Sequence, residues 1–412
     1  MVHFPYSIPE NSSCPVVRSL AIIASLEPDI RAFAWHLRPD ALFPGPHDGP
    51  VKGLAFGVKD VIDVAGMPTR CGSVAMDTEP RESDAACVAV LRANGAVPVG
   101  KTVTAEFAFT EPGPTRNPHR LTHTPGGSSS GSAASVSAGM VEMALGTQTG
   151  GSIIRPAAYC GVVGFKPTFG RVDRAGMHVL CHTLDTIGWF TRTVAQSQAI
   201  SSILLAEPGE PPPRRAPRVA LFDFRCLANS SPRAHGAWLS CIQALRDSGA
   251  ELVFPELNDE IVTLTHVHGQ IMTYELAQSL LPLVTRYGDR ISAASRNVVI
   301  AGQAIDQYVY GAAQSQREDL AQRWLERFVD VDFIVTPSTP DVAPEGLAST
   351  GSSIFNRIWS LLGWPCVQLP MQRAQGELPI GVQWIGRPGA DAALLAWAAL
   401  FHERMKKAPE VH

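Results

Sequence analysis

Apolar and polar residues follow two rhythms along this chain. Short apolar runs bounded by glycine, proline or aspartate predict strands at 53–58, 96–99, 141–147, 185–190, 218–222, 251–254, 333–336 and 380–385. Between them, apolar residues three and four apart predict helices at 16–26, 27–37, 84–94, 130–140, 191–205, 235–248, 262–281, 298–328 and 390–404. The helix at 84–94 carries its own punctuation, with Asp84 able to cap its start and Gly95 to end it. Residues 160–165 read as a further buried element, and 104–109 as apolar chain of either type. Strands alternating with helices argue for an α/β sheet. Pro39, Pro44, Pro46 and Pro50 mark an irregular connection, and the proline-rich stretch 206–217 (AEPGEPPPRRAP) marks another.

Composition narrows the classes. The chain has 412 residues, 45% of them hydrophobic, enough for a substantial core. A net charge of −4 is too small to imply nucleic acid or a membrane surface as partner. Eight cysteines are scattered without a CxxC pair, which suggests buried thiols and a reducing, cytoplasmic setting. The N-terminal MVHFPYSIPENSS lacks the basic and continuous apolar regions of a signal peptide, and no apolar run is long enough to cross a membrane.

One stretch breaks the pattern of an ordinary core. From Pro125 to Gly170 the chain holds two glycine–serine turns, Gly126-Gly127-Ser128 and Gly150-Gly151-Ser152, with small residues between them. Such residues bury little apolar surface, but they let backbone approach a ligand and present N–H groups to a negative oxygen. A second oddity is Lys59, placed at the end of the apolar run Gly53-Leu54-Ala55-Phe56-Gly57-Val58. Burying an unpaired ammonium is costly. An ion pair with Asp60 or Asp63, or a side chain reaching out to solvent, is the plain reading of its position.

Three local motifs lack the context they need. Residues 95–102, GAVPVGKT, fit the phosphate-loop pattern, but a helix precedes them, their spacer is strand-like, and Pro98 removes a backbone donor. Gly127-Ser128-Ser129-Ser130-Gly131 fits GxSxG with Ser129 as nucleophile, yet no strand leads into it. His119 and His123 stand four apart like a helical metal pair, but Pro118 and Pro125 argue for surface loop histidines.

The segment Gly146-Thr147-Gln148-Thr149-Gly150-Gly151-Ser152, continuing through Arg155-Pro156-Ala157-Ala158 to Gly164-Phe165-Lys166-Pro167-Thr168, resembles the amidase signature family of serine hydrolases. The upstream turn from Gly126 to Ser132 and the lysine segment Gly57-Val58-Lys59-Asp60 match in the same order, and weaker matches extend over most of the chain. The resemblance implies a single domain over residues 1–412, with a mixed central sheet covered by helices on both faces. It implies a Ser–Ser–Lys triad: Ser152 as nucleophile, Ser128 as bridging serine, Lys59 as base. The N–H groups of Thr149, Gly150, Gly151 and Ser152 would hold the oxyanion, and a cis peptide would precede Ser128. Gly127, Ser129, Gln148 and Arg155 would support the site.

The chemistry is coherent. A serine needs a base, and a lysine is a base only when neutral, which requires its pKa to fall by about 3 units. Burial pushes it that way, provided Asp60 points elsewhere. The implied reaction is hydrolysis of a small or medium carboxamide, without metal or organic cofactor. The implied partner is that small molecule, with no nucleic acid or membrane, and the chain could form a homodimer. Rival readings are an ammonia-supplying amidotransferase-like subunit, a non-catalytic scaffold, and a nucleotide-dependent enzyme using Lys101. Two positions depart from many relatives: Gln148 stands where Asp is common, and Ile154 where Arg is, with Arg155 following. Arg155 supports the loop or meets a substrate carboxylate.

Overall fold

The computed structural model describes residues 14–38, 47–211 and 214–405; the three prolines at 39–46 and part of the 206–217 connection lie outside them. One eleven-stranded mixed sheet runs through the described residues, flanked by helices. Its strands are β1 (Phe33–His36), β2 (Ala55–Lys59), β3 (Val97–Thr102), β4 (Met143–Gln148), β5 (Val163–Lys166), β6 (Thr186–Thr191), β7 (Arg218–Leu221), β8 (Glu251–Val253), β9 (Phe333–Pro337), β10 (Cys366–Pro370) and β11 (Gly381–Ile385). They lie in the order β1-β3-β2-β4-β6-β5-β10-β11-β9-β7-β8. The strands flanking the proline-rich connection, β6 and β7, therefore belong to the same sheet.

The helices are α1 (Pro15–Ile30), α2 (Ala86–Ala93), α3 (Ser130–Ser137), α4 (Ile154–Cys160), α5 (Val194–Leu204), α6 (Pro232–Asp247), α7 (Asn258–Tyr287), α8 (Ala293–Gln303), α9 (Gln307–Arg327), α10 (Arg357–Leu361) and α11 (Asp391–Met405). Small residues explain why α3 sits so close to the sheet. A Cβ at Gly131 would lie 2.0 Å from the Ala32 carbonyl oxygen. Trp324, Trp359 and Trp364 form an aromatic cluster with Phe222 and Phe328, so the C-terminal tryptophans are core.

Several sequence expectations need correction. Residues 27–37 are not a second helix. The first helix runs on to Ile30 and stops where Arg31 takes the left-handed conformation (φ 56°). The Glu27 carboxylate then accepts the Ala32 and Phe33 N–H groups at 3.0 and 2.9 Å, and the chain leaves as β1 to cover the edge of β3. The helical region 298–328 is two helices, because Asp306 accepts the Tyr308 N–H at 2.7 Å and starts a new one. Of the two expected surface histidines, His123 is buried and His119 is only partly exposed. His119 is held between the Cys160 carbonyl at 2.9 Å and the Arg373 guanidinium at 3.0 Å. Burial pushes the His119 pKa down to about 4. β10, α4 and α10 were not foreseen; each is short, and none has a period long enough to read.

Candidate active site

β2 and β4 are parallel neighbours, paired from Phe56–Met143 to Val58–Leu145, so their C-terminal ends open on the same edge. Lys59 ends one and Thr147-Gln148 the other. Lys59 is wholly buried. Its Nζ donates to Ser128 Oγ at 2.8 Å and to Thr147 Oγ1 at 2.8 Å, with the Thr147 carbonyl at 3.4 Å. No carboxylate among the described residues forms an ion pair with it. Asp60, the candidate partner in sequence, is taken by Lys101 at 3.0 Å. Burial therefore pulls the Lys59 pKa down to about 7; the Asp185 charge opposes this and the Arg155 charge adds to it.

Ser128 follows a cis Gly127–Ser128 peptide bond and is fully buried. The carbonyl of that bond is clamped by Arg155, whose Nε donates to Gly127 O at 3.1 Å, joined by Nη2, while Nη1 donates to Gly351 O. Arg155 thus gives three N–H bonds to backbone carbonyls and also lines the cavity described below. Ser129, the GxSxG serine, is also buried, and its Oγ donates to the Thr147 carbonyl at 3.2 Å. It ties the first turn of α3 to β4 and is not among the residues lining the cavity described below.

The second turn is held from three sides. Gln148 Oε1 accepts the Ile153 and Ile154 N–H groups at 2.9 and 3.1 Å, where α4 begins. Its Nε2 donates to Ser360 Oγ at 3.1 Å, which in turn donates to the Gly150 carbonyl at 3.0 Å. An aspartate could accept the same N–H groups but could not make the second bond. Thr149 Oγ1 donates to Asp185 Oδ1 at 2.5 Å, and Asp185 Oδ2 accepts the Leu180 and Cys181 N–H groups. His268 on α7, fully buried, contacts the Thr149 carbonyl through Nε2 at 3.0 Å. Only a protonated Nε2 can donate there, and burial keeps the ring neutral with its pKa near 4. Gly151 must be glycine, since a Cβ would lie 2.5 Å from Asn356 Oδ1.

Thr149, Gly150, Gly151 and Ser152 form one wall of a cavity of about 440 Å³. Phe109, Leu180, Met272 and Leu276 supply apolar lining, and Arg357 and Glu111 supply charge. The structure thus brings Lys59, Ser128 and Thr147 into one bonded group and sets Ser152 on the cavity wall. The sequence reading gave no role to Thr147, His268, Ser360 or Arg357. Thr147 lies inside the recognised motif and could have been found there. The other three come from residues more than a hundred positions away, with no local signal. Lys101, the phosphate-loop lysine, is buried on β3 against Asp60, Pro68 O and Thr69 Oγ1, with nothing left for a phosphate. Among the described residues no cluster of three His, Cys, Asp or Glu side chains could hold a metal ion, and no helix is long and apolar enough to cross a membrane.

This sheet, with two glycine–serine turns at its opened edge, defines a class of amide-cleaving enzymes. The chain belongs to the Amidase family, whose model matches residues 21–395, and is an enzyme of amide C–N bonds. It is 34% identical to a glutamyl-tRNA(Gln) amidotransferase subunit of Roseiflexus sp. (strain RS-1), over 91% of this chain and 89% of that protein. Among solved structures, an amidase superimposes with a TM-score of 0.85 at 28% identity, covering 95% of both chains. The native peptide amidase of Stenotrophomonas maltophilia does so with 0.78 at 26%, covering 97% of this chain and 94% of its own.

Proposed function

We propose that this protein hydrolyses a small or medium carboxamide to the carboxylic acid and ammonia or an amine, through an acyl-enzyme on Ser152. The observation that carries the reading is Lys59: buried, without a carboxylate, and 2.8 Å from Ser128 Oγ. With its pKa near 7, a large fraction is neutral amine at physiological pH. The two oxygens of Thr147 can take its two N–H groups, which leaves the nitrogen lone pair for the Ser128 proton.

In the forward step Ser152 Oγ attacks the amide carbon as its proton passes to Ser128, and the Ser128 proton passes to Lys59. The N–H groups of residues 149–152 hold the developing oxyanion, and the Asp185, Ser360 and His268 bonds keep that turn from reorganising. Collapse breaks the C–N bond, and the proton returns from Lys59 through Ser128 to the leaving nitrogen. Water then attacks the ester along the same route in reverse, releasing the acid and restoring Ser152.

Fluorophosphonate labelling with peptide mapping tests this. One adduct on Ser152, formed at least a hundredfold more slowly in Lys59→Ala, is expected; an adduct on Ser129 would overturn the assignment. A second reading, an ammonia-supplying subunit, draws on the likeness to the Roseiflexus amidotransferase subunit. Ammonia release from amides by the isolated chain favours the hydrolase; release only with an added partner favours the subunit. No turnover across aliphatic, aromatic and urea-like amides would favour a scaffold.

A further inference from the structure

The cavity holds a charge that nothing among the described residues neutralises. Arg357, at the first turn of α10, lines the same cavity as Ser152 and the glycine turn. Its Cγ lies 3.9 Å from where a Cβ on Gly150 would stand, so its guanidinium lies within one side-chain length of the oxyanion turn. It is half-buried. Its one hydrogen bond among the described residues is a long one, Nε to the neutral Ser353 Oγ at 3.4 Å. No carboxylate among those residues forms an ion pair with it.

Its neighbours feel the bare charge. Burial pulls the pKa values of Arg357, Arg155 and His268 down, and the Arg357 charge adds a smaller push in the same direction on the latter two. The other arginine of the cavity, Arg155, gives three of its five N–H groups to the Gly127 and Gly351 carbonyls. Glu111, the cavity's carboxylate, is exposed at the rim. A half-buried guanidinium with unused donors beside a reactive turn is costly to maintain empty, and its planar fork matches a carboxylate in geometry and charge.

Resting on the hydrolase reading above, we infer that Arg357 determines specificity by binding a carboxylate on the substrate, which is therefore a short carboxamide that also carries a carboxylic acid group. The apolar lining from Leu180, Met272 and Leu276 suits the short carbon spacer between the two groups. Arg357 takes no part in proton transfer; it anchors one end of the substrate so that the amide carbon meets Ser152.

The test uses matched pairs: half-amides of short dicarboxylic acids, and the same amides with the free acid replaced by its methyl ester. Wild type is expected to prefer the acid by about a hundredfold in kcat/KM. Arg357→Gln should lose most of that preference, its kcat/KM falling far more on the acid than on the ester. Arg357→Lys, which keeps the charge but not the fork, should fall between. A substrate-free readout runs beside it: short dicarboxylates should slow fluorophosphonate labelling of Ser152 in wild type and not in Arg357→Gln. Equal wild-type rates on acid and ester, equal losses on both in Arg357→Gln, or equal protection in both proteins would overturn the inference. Labelling also separates the two levels. A Ser152 adduct without carboxylate preference removes this inference alone, whereas no adduct on folded wild type removes the hydrolase reading and this one with it.

Discussion

Two lysines end adjacent parallel strands, Lys59 on β2 and Lys101 on β3, and both are fully buried. Their surroundings could hardly differ more. Register explains why. Lys101 lies opposite Val58 and Thr102 opposite Lys59, so side-chain alternation sends the two lysines to opposite faces of the sheet. Asp60, one residue past Lys59, stays with the Lys101 face and pairs there. Lys101 gains a carboxylate, a carbonyl and a hydroxyl, while Lys59 gains only neutral oxygens from Ser128 and Thr147. Burial pulls the pKa of both lysines down, but Lys101 has a bonded carboxylate that opposes the fall and Lys59 has none in contact. The comparison teaches that one carboxylate, steered by strand alternation, separates a structural lysine from a candidate base.

The largest effect that could break this contrast is on turnover. Lys59→Ala should lower kcat/KM for amides by about 10³–10⁴-fold with the fold intact, while retained activity would remove Lys59 from the chemistry. Lys101→Met should instead strike stability. It strands the Asp60 carboxylate, 2% exposed, on long backbone contacts from Arg70 and Gly72 at 3.3–3.5 Å. Breaking such a buried pair costs about 3–5 kcal/mol, measurable by urea unfolding, and Asp60→Asn in the same chain should restore part of it. A loss below about 1 kcal/mol would mean that the pair contributes little.

The same contrast marks what the sequence could disclose. The glycine–serine turns and the lysine after its apolar run were legible because each is local, a few residues whose chemistry suits no ordinary core. So were most of the strands, whose apolar runs are bounded by clear breakers. The fate of Lys59 was not. Position alone reads it as half of an ion pair with Asp60, the resemblance asks Asp60 to point elsewhere, and the register of β2 against β3 is what assigns the aspartate to Lys101. β1 failed for a related reason: Phe33-Ala34-Trp35-His36 is apolar enough for a helix until the free edge of β3 offers it partners. His268 and Arg357 reach the site from 116 and 205 positions beyond Ser152, and such distances leave no trace in periodicity.

A smaller effect, of opposite sign to that of Lys101→Met, sharpens the comparison further. The folded pKa of Lys59, about 7, lies below its unfolded value near 10.4. Between these values the unfolded chain binds more protons, so Lys59 destabilises the fold most below pH 7, and the penalty shrinks as pH rises towards 10. Lys59→Met should therefore stabilise the protein at pH 6 by about 1–3 kcal/mol, after the lost hydrogen bonds are counted. That gain should fade by pH 9. A loss of stability at pH 6 would mean that the lysine is better solvated than its burial implies.

The finest prediction concerns where activity turns on. The neutral form of Lys59 is the base, so kcat/KM should rise with pH along a limb centred near 7. The charged and titratable groups acting on Lys59 are Asp185, which raises its pKa, Arg155, which lowers it, and the Cys71 thiol, itself pushed up by burial. Asp185→Asn removes the strongest support for the ammonium, so the limb should move to lower pH, by up to about one unit. The same change weakens the Thr149 anchor on the oxyanion turn, so the plateau should fall as well. The two effects are separable because the plateau reports the turn and the midpoint reports the lysine. A lowered plateau with an unmoved midpoint would mean that Asp185 serves the turn alone, and that the group titrating near 7 is not Lys59.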